Sequence, residues 1–312
     1  MSSLMFCRVA IKDSPVKRGI GDAALLALCA GFCESCAMVQ KSILITGASS
    51  GIGFDAAQGM RAAGWRVFAS CRKAEDCARL AGLGFESPRI DYTDEASIAT
   101  GLAEVLAATG GTLDALYNNG AHALPGAVED LPVDGLRAVF ETNFFGWHAL
   151  TRAVIPVMRA QGHGRIVNCS SVLGLVGIPW RGAYVASKFA LEGLTDVLRL
   201  EMAGTGIKVI LIEPGPITSD IRKNAIPHFE RWIDWQGSAR ADDYKTLLAR
   251  LYTDSGPDRF ELPASAVTAK LLHAVTAAKP KPRYYVTRPT YLAGLMRRLL
   301  PTRLLDAVLL RG

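Results

Sequence analysis

Short apolar runs rich in β-branched residues alternate with longer segments of helical periodicity over most of the chain. The apolar runs suit strands that are buried on both faces of a sheet. We predict strands at residues 42–46, 66–70, 85–91, 113–118, 165–169, 208–213 and 283–286. Helices are expected near residues 52–63, 94–108, 132–160, 182–203 and 262–278. This alternation predicts an α/β fold with a doubly wound parallel sheet in a single domain, residues 38–290.

The alternation stops after the sixth predicted strand. Residues 216–262 form a polar insertion that carries Phe229, Trp232 and Trp235. Its aromatic surface fits a lid that closes over an apolar substrate, since mobile lids gate many enzymes. An ordinary helical hairpin packed on the body explains the same residues equally well. If the insertion is a lid, substrate specificity resides there.

Both ends of the chain depart from the pattern. Residues 1–37 contain no clear strand, and we favour a largely disordered upstream extension. A signal peptide is the alternative, but its apolar run is short and Asp22 interrupts it. The tail, residues 291–312, mixes leucines with arginines around Pro301. We favour packing on the body or on a partner subunit over an interfacial membrane segment, because Pro301 interrupts any long amphipathic face.

Composition and charge restrict the possible partners. The net charge is +6, but residues 279–312 hold eight basic residues and one acid, so the remainder carries about −1. No basic face for nucleic acid therefore runs through the body. The longest apolar runs are shorter than the ~18 residues of a spanning helix. Seven cysteines without metal-like spacing indicate reduced thiols and a cytoplasmic location, and five scattered histidines predict no metal site.

A glycine-rich turn follows the first predicted strand. Gly47-Ala48-Ser49-Ser50-Gly51-Ile52-Gly53 leads from this strand directly into a helix. Main-chain N–H groups and the helix dipole at such a place favour an anionic group, and glycines let phosphates approach the backbone. A tight turn that only needs close packing is the alternative. The position after the first strand favours a dinucleotide site.

The second predicted strand carries the signal for the type of dinucleotide. An acid that accepts from the ribose 2′-hydroxyl is expected about 20 residues past the first glycine when NAD binds. The sequence has Ser70, Arg72 and Lys73 in this region and no acid. Because guanidinium groups bind phosphate well, we predict NADP(H), with Arg72 at its 2′-phosphate. A solvated basic pair at a helix start is the alternative.

Tyr184 and Lys188 lie four residues apart, on one face of a predicted helix. An ammonium group and an oxidised nicotinamide both favour the tyrosine anion. Lowering the tyrosine pKa from ~10 to about 7 requires roughly 4 kcal/mol, which two such charges can supply in a poorly solvated cleft. Taken alone, this spacing is more typical of a core ring and a surface amine.

Together these motifs resemble the short-chain dehydrogenase/reductase family, over about residues 40–288. Ser171 stands thirteen residues before Tyr184, and Asn118-Asn119-Gly120 follows the fourth strand. The stretch from Gly164 to Leu194 is similar to the branch that acts on steroids, retinoids and other bulky hydrophobic alcohols and ketones. The resemblance implies a Rossmann-type fold and hydride transfer between nicotinamide and a carbonyl carbon.

The resemblance also implies roles for single residues. Tyr184 is the expected general acid or base, Ser171 holds the substrate oxygen, Lys188 binds the nicotinamide ribose, and Asn143 holds a water in a proton relay. Further cofactor contacts are expected at the following positions: Gly47, Ser49, Ser50, Gly51, Ile52, Gly53, Asp91, Asn118, Pro214, Gly215 and Ser219. Thr218 competes with Ser219 for the last position.

Two functions remain open at this stage. The first is an NADP(H)-dependent oxidoreductase that interconverts a hydrophobic ketone or aldehyde and its alcohol. The second is a noncatalytic NADP(H)-binding regulator on the same fold, against which the intact set of catalytic residues argues. Members of the family are commonly homodimers or homotetramers built on the fourth and fifth helices of the core, so a homo-oligomer is expected.

Overall fold

The computed structural model describes residues 40–253, 256, 258 and 260–310. The predicted extension, residues 1–37, lies outside the described residues. The described part contains one sheet of six parallel strands in the order β2-β1-β3-β4-β5-β6. These strands are β1 (Ser42–Ile45), β2 (Arg66–Ala69), β3 (Ala115–Asn118), β4 (Gly164–Cys169), β5 (Ile207–Glu213) and β6 (Arg283–Tyr285).

The order of the strands reverses beside β1. The chain first moves outward from β1 to β2 and then returns across β1 to β3 and beyond. Since crossovers between parallel strands are right-handed, this reversal places helices on both faces of the sheet. The crossover helices are α1 (Gly51–Ala62), α2 (Ala74–Gly82), α3 (Glu95–Thr109), α4 (Val133–Phe140), α5 (Gly146–Ala160), α6 (Gly182–Glu201) and α9 (Ser265–Thr276). The fold is therefore the predicted doubly wound, Rossmann-type α/β fold.

The predicted strand at residues 85–91 is wrong. This segment runs beside β2 but forms only two isolated bridges, Phe68 to Glu86 and Cys71 to Arg89. Pro88, between the bridges, has no N–H for a ladder, and the hydroxyl of Ser87 donates to the carbonyl of Ala69 instead. The apolar pattern was correct, but the backbone cannot form a continuous ladder here.

The long helix predicted over residues 132–160 is interrupted. A π-helical turn, Glu141–Phe145, separates α4 from α5 and contains the buried Asn143. Apolar periodicity does not reveal such a turn, because both flanking helices keep the same buried face. Helix α2 was not predicted at all, since its nine residues bury only Cys77 and Leu80.

The insertion consists of two helices, α7 (Ile221–Trp232) and α8 (Ala241–Tyr252). The hydroxyl of Tyr244 on α8 accepts a hydrogen bond from the N–H of Ala127 at 2.9 Å and donates one to Asp130 at 2.8 Å. A second apolar cluster joins the two helices to the body; its buried members are Leu124, Ala127, Val139, Ala183, Phe229, Ile233, Tyr244 and Leu247. The insertion is thus an ordered helical pair that packs on the body, while its opening as a lid stays a prediction.

The tail forms α10 (Arg288–Leu299) and α11 (Thr302–Leu309). Buried Ala293 and Leu305 pack with Val176 of the body in a small third cluster. The inner side of the tail therefore has the packing role that we favoured. No helix in the described part of the chain is long and apolar enough to cross a membrane.

Candidate active site

The glycine turn lies where β1 ends, next to the point at which the strand order reverses. Gly47 and Gly51 have φ angles of 62° and 53°, in the left-handed region that favours glycine. A Cβ on Gly53 would lie 2.2 Å from the carbonyl oxygen of Gly47, so a side chain there is excluded. Ser50 caps α1 without a side-chain hydrogen bond, and the first turn of the helix contains no acid. The free N–H groups and the absence of negative charge fit a dinucleotide phosphate.

The loop after β3 passes directly against this turn. A Cβ on Gly47 would lie 2.5 Å from the Cα of Gly120, and Asn119 donates its amide to the carbonyls of Thr46 and Gly47. Gly120 stands where the family usually has alanine in its N-N-A-G motif. The close approach explains the glycine at position 47, whereas a Cβ on Gly120 would lie no closer than 3.3 Å to its neighbours, a tight contact that does not by itself require glycine.

Arg72 and its neighbours follow β2, as predicted. Arg72 is exposed at the edge of the cleft, whereas Lys73 contacts Glu75 at 3.8 Å. The side chain of Ser70 is fully buried and its hydroxyl has no partner among the described residues. The contact of Arg72 with a cofactor stays a prediction.

The predicted catalytic residues come together at the ends of β4 and α6. Lys188 donates to the carbonyl of Cys169 at 2.8 Å, and its ammonium lies 5.5 Å from the ring centre of Tyr184 and 4.4 Å from that of Trp147. Ser171 follows β4 and its hydroxyl forms a hydrogen bond with that of Tyr184. The N–H of Leu173 donates to the same serine oxygen at 3.1 Å and fixes it.

Burial dominates the electrostatics of this pair. It raises the pKa of the Tyr184 hydroxyl above its ordinary value, and the hydrogen bond from Ser171 opposes this only partly. Burial also lowers the pKa of Lys188 to about 8. Burial is the largest influence on the pKa of this hydroxyl in the protein chain by itself, so the lowering expected from Lys188 and a bound nicotinamide stays a prediction.

Asn143 connects the π turn to the loop after β3. Its side-chain oxygen accepts from the N–H of His122 at 3.0 Å, and its amide donates to the carbonyl of His122 at 2.9 Å and to Ser187 at 3.2 Å. The side chain is thus occupied within the protein. The relay water expected at Asn143 stays a prediction.

The remaining predicted cofactor residues differ in their surroundings. Asn118 is fully buried, and its amide donates to Thr151 and to Asn168, so its side chain serves the sheet. Asp91 accepts from the N–H and hydroxyl of Thr93 in the loop after the second bridge. The contacts of these two residues with a cofactor stay predictions.

The two hydroxyls after β5, those of Thr218 and Ser219, have different surroundings. The hydroxyl of Thr218 donates to Glu261 at 2.7 Å. The Cβ of Ser219 lies close to the glycine turn, since a Cβ added to Gly51 would be 3.2 Å from it. Gly215 packs against the hydroxyl of Thr287, and the carbonyl of Pro214 accepts from the N–H of Val172. Ser219 therefore lies over the glycine turn, where a cofactor contact is expected.

Two histidines that the sequence left unassigned meet at the cleft. The rings of His122 and His228 stack with 3.8 Å between their centres and 14° between their planes. Burial lowers the pKa of His122 to about 3 and also lowers that of His228. The charge of Arg72 lowers both pKa values further. The contact joins α7 of the insertion to the loop beside Asn143. Neither residue belongs to a motif, so only the folded chain reveals the pair.

A buried ionic cluster lies beyond Lys188 on α6. Arg283 of β6 donates to Glu192, to Glu213 at 2.5 Å and to Asp196 at 2.7 Å. Glu192 is one helical turn past Lys188 and its charge raises the pKa of that lysine, against the larger effect of burial. Burial raises the pKa of Glu213 to about 8. This cluster was not predicted; the only signal for it in the sequence was the charged Glu213 at the end of a buried strand.

Comparisons with known proteins agree with this geometry. The family model described as short chain dehydrogenase matches residues 41–229. The "Uncharacterized oxidoreductase YbbO" of Escherichia coli K12 is 39% identical over 272 residues, which are 87% of this chain and 95% of that protein. An "NADPH-dependent 3-dehydrocapnine reductase" of Ornithobacterium rhinotracheale is 32% identical over 280 residues, 86% of this chain and 96% of the relative.

A solved structure gives the same result for the fold. The short chain dehydrogenase/reductase of Burkholderia phymatum in complex with NAD superposes with a TM-score of 0.70 at 27% identity, covering 86% of this chain and 95% of that one. Fold, motifs and relatives together define an oxidoreductase that binds a nicotinamide cofactor and acts on CH–OH groups. The chain belongs to the short-chain dehydrogenase family.

Proposed function

We propose that this protein is an NADP(H)-dependent oxidoreductase that interconverts a hydrophobic ketone or aldehyde and the corresponding alcohol, with Tyr184 as the general acid or base. The observation that carries the proposal is the placement of Ser171, Tyr184 and Lys188 in one buried cluster at the end of β4, on the same edge of the parallel sheet as the glycine turn after β1. A bound nicotinamide supplies or accepts the hydride. The protein residues supply a proton, a polarised oxygen and the correct position.

In the direction of reduction, the hydroxyl of Tyr184 donates its proton to the carbonyl oxygen of the substrate. Its raised pKa keeps this hydroxyl protonated in the neutral range. Ser171, held by the N–H of Leu173, donates a hydrogen bond to the same oxygen. Lys188, fixed on the carbonyl of Cys169, places positive charge next to the tyrosinate that remains.

The preference for NADP(H) rests on Arg72. Its exposed guanidinium stands at the end of β2, and the segment 66–73 offers no carboxylate for a ribose 2′-hydroxyl. The printed name of the relative from Ornithobacterium supports NADPH, while the solved structure from Burkholderia contains NAD. Relatives alone therefore leave the choice open, and the proposal depends on the residues of this chain.

The hydrophobic substrate is inferred from the surroundings of the cleft. Helices α7 and α8 contribute an apolar cluster that reaches Ala183, the residue before Tyr184. Half-buried Trp180 and Trp232 pack against the same cluster. A bulky apolar substrate fits such walls, which also accords with the resemblance to the steroid and retinoid branch.

Turnover of full-length protein with NADPH and a panel of bulky aldehydes and ketones tests the catalytic proposal. Tyr184→Phe should lose at least about 10²-fold in kcat, because the proton donor is removed, while its affinity for NADPH stays within a factor of about 3. Tyr291→Phe is the matched control, since this hydroxyl lies on an exposed helix far along the chain. Equal rates in Tyr184→Phe and wild type would refute the assignment.

The cofactor preference needs a separate experiment. Arg72→Gln should weaken NADPH binding by about 10-fold or more, since a charge-assisted phosphate contact is lost, and leave NADH binding unchanged. Lys73→Gln is the control, as Lys73 contacts Glu75. A wild-type preference for NADH would overturn the proposed role of Arg72.

The noncatalytic NADP(H)-binding regulator remains the second candidate. No observation on the structure favours it, and the intact catalytic cluster argues against it. It would be supported only if wild-type protein binds NADPH tightly and turns over none of the carbonyl compounds. The cytoplasmic location and the homo-oligomeric state also stay predictions.

A further inference from the structure

The two C-terminal helices expose an unusual amount of apolar surface. On α10, Leu292, Leu295 and Leu299 are 54%, 55% and 69% exposed, and their spacing of three and four residues places them on one stripe. On α11, Leu304 and Val308 are 57% and 45% exposed and lie four residues apart. We call these five residues, together with Tyr291 and Leu310, the C-terminal surface. Scattered single leucines need no explanation, but a stripe continued over two helices does.

Positive charge surrounds this surface. The exposed arginines of the two helices are Arg288, Arg297, Arg298 and Arg303, and Asp306 is the only acid between residues 288 and 309. With four arginines and one aspartate, residues 288–309 have a net charge of +3, which is half of the net charge of +6 of the whole chain. The apolar stripe is therefore exposed on a segment with an excess of positive charge.

The opposite side of the same helices packs next to the proposed catalytic residues. Ala293 and Leu305 are buried against Val176, and Val172 joins this contact. Val172 directly follows Ser171 in the chain. The C-terminal surface thus lies on the outer side of helices whose inner side contacts the segment that holds the substrate oxygen.

We propose that the C-terminal surface docks on an anionic lipid bilayer, with α10 and α11 lying in the plane of the interface. Leucines would enter the region between headgroups and acyl chains, while the arginines contact lipid phosphates and keep their charge in water. With 12 and 8 residues, both helices are too short to span a bilayer. Pro301 argues against one long continuous amphipathic helix, but here each of the two helices exposes apolar residues of its own.

Charge complementarity favours a lipid surface over a second copy of this chain. In a twofold symmetric contact the same patch is present on both sides. Four arginines would then face four arginines, with one Asp306 on each side to compensate. An anionic bilayer offers the opposite charge, and each arginine near such a surface strengthens binding by about fivefold.

Flotation of the full-length protein with vesicles tests the proposal. Wild type should float with vesicles of phosphatidylcholine and 30% phosphatidylglycerol, bind much less to phosphatidylcholine alone, and dissociate as salt is raised. Leu295→Gln/Leu299→Gln should weaken binding by at least about tenfold, because two leucines no longer insert. Arg298→Gln/Arg303→Gln should weaken binding to the anionic vesicles only.

The matched control is Leu83→Gln/Val133→Gln, which removes two apolar side chains of similar exposure, 49% and 62%, outside the C-terminal surface. It should bind vesicles like wild type. The proposal is overturned if wild type does not float, or if the leucine variant floats as well as the control. A change in the sedimentation mass of the leucine variant without any vesicle binding would assign the surface to contacts between two chains instead. Because all substituted residues are exposed, unchanged melting temperatures should exclude misfolding.

Discussion

At the scale of single residues, burial sets the protonation states of Tyr184 and Lys188, the proposed catalytic pair. It raises the pKa of Tyr184 and lowers that of Lys188, so both groups are driven toward their neutral forms. Lys188 is protonated below its pKa of about 8 and neutral above it. Tyr184 keeps its proton over the same range. An alkaline loss of reductase activity near neutrality therefore reports on Lys188.

This gives a test of Glu192 as a positioning residue, which rests on the proposed function. The charge of Glu192 raises the pKa of Lys188, so Glu192→Gln should lower that pKa. In a profile of kcat/KM for carbonyl reduction against pH, the alkaline limb should move to lower pH, with little change on the acidic side. Asp196→Asn is the control, because it removes a different partner of Arg283. A mere structural role of Glu192 would lower activity at every pH without moving the limb.

At the scale of secondary structure, one arginine connects three elements. Arg283 on the edge strand β6 contacts Glu213 on β5 and both Glu192 and Asp196 on α6. The strand itself has only three residues. These ion pairs therefore help to hold β6 against β5 and α6. The carboxyl group of Glu213, one of the partners of Arg283, is fully buried.

Removal of this arginine should destabilise the fold. Arg283→Met leaves the buried carboxyl groups of Glu192 and Glu213 without their basic partner, and we expect a loss of about 3 kcal/mol in the free energy of unfolding. Denaturation in urea measures the loss. The double variant Arg283→Met/Glu213→Gln should recover part of it, since it replaces one of the two carboxyl groups that lose this partner. A single variant as stable as wild type would show that the cluster contributes little.

The elements also show what a sequence can predict. The short apolar runs were enough to predict all six strands; those of β1 to β5 are almost entirely buried, whereas β6 at the edge of the sheet is only partly buried. They failed at residues 85–91, where Pro88 prevents a ladder, and at the π turn, where periodicity continues through Asn143. The motif residues Ser171, Tyr184 and Lys188 could be predicted because they lie close together in the sequence, Ser171 after β4 and the other two on α6. The contacts of His228 and Arg283 join distant segments, so they require the folded chain.

At the scale of the whole molecule, a groove of about 360 Å³ lies between α5 and α6. Apolar Val197, Leu198 and Ile155 line it, and Val197 is 52% exposed. Helix α4, the π turn and α5 can be counted as one bent helix. This bent helix is then the fourth helix of the core, and α6 is the fifth. The resemblance to the family predicts self-association through this face.

A single charge at the centre of the face tests this prediction. In a twofold contact the same residue is present on both sides, so Val197→Glu introduces two like charges and removes two apolar side chains at once. Sedimentation equilibrium should show a homodimer or homotetramer for wild type and at least about tenfold weaker association for the variant. Val133→Glu places the same charge at a residue that is 62% exposed elsewhere and should associate like wild type. A monomeric wild type, or equal association of both variants, would contradict the assignment of this face. Because the groove and the C-terminal surface involve different helices, Val197→Glu should still float with anionic vesicles, which separates association between chains from docking on lipid.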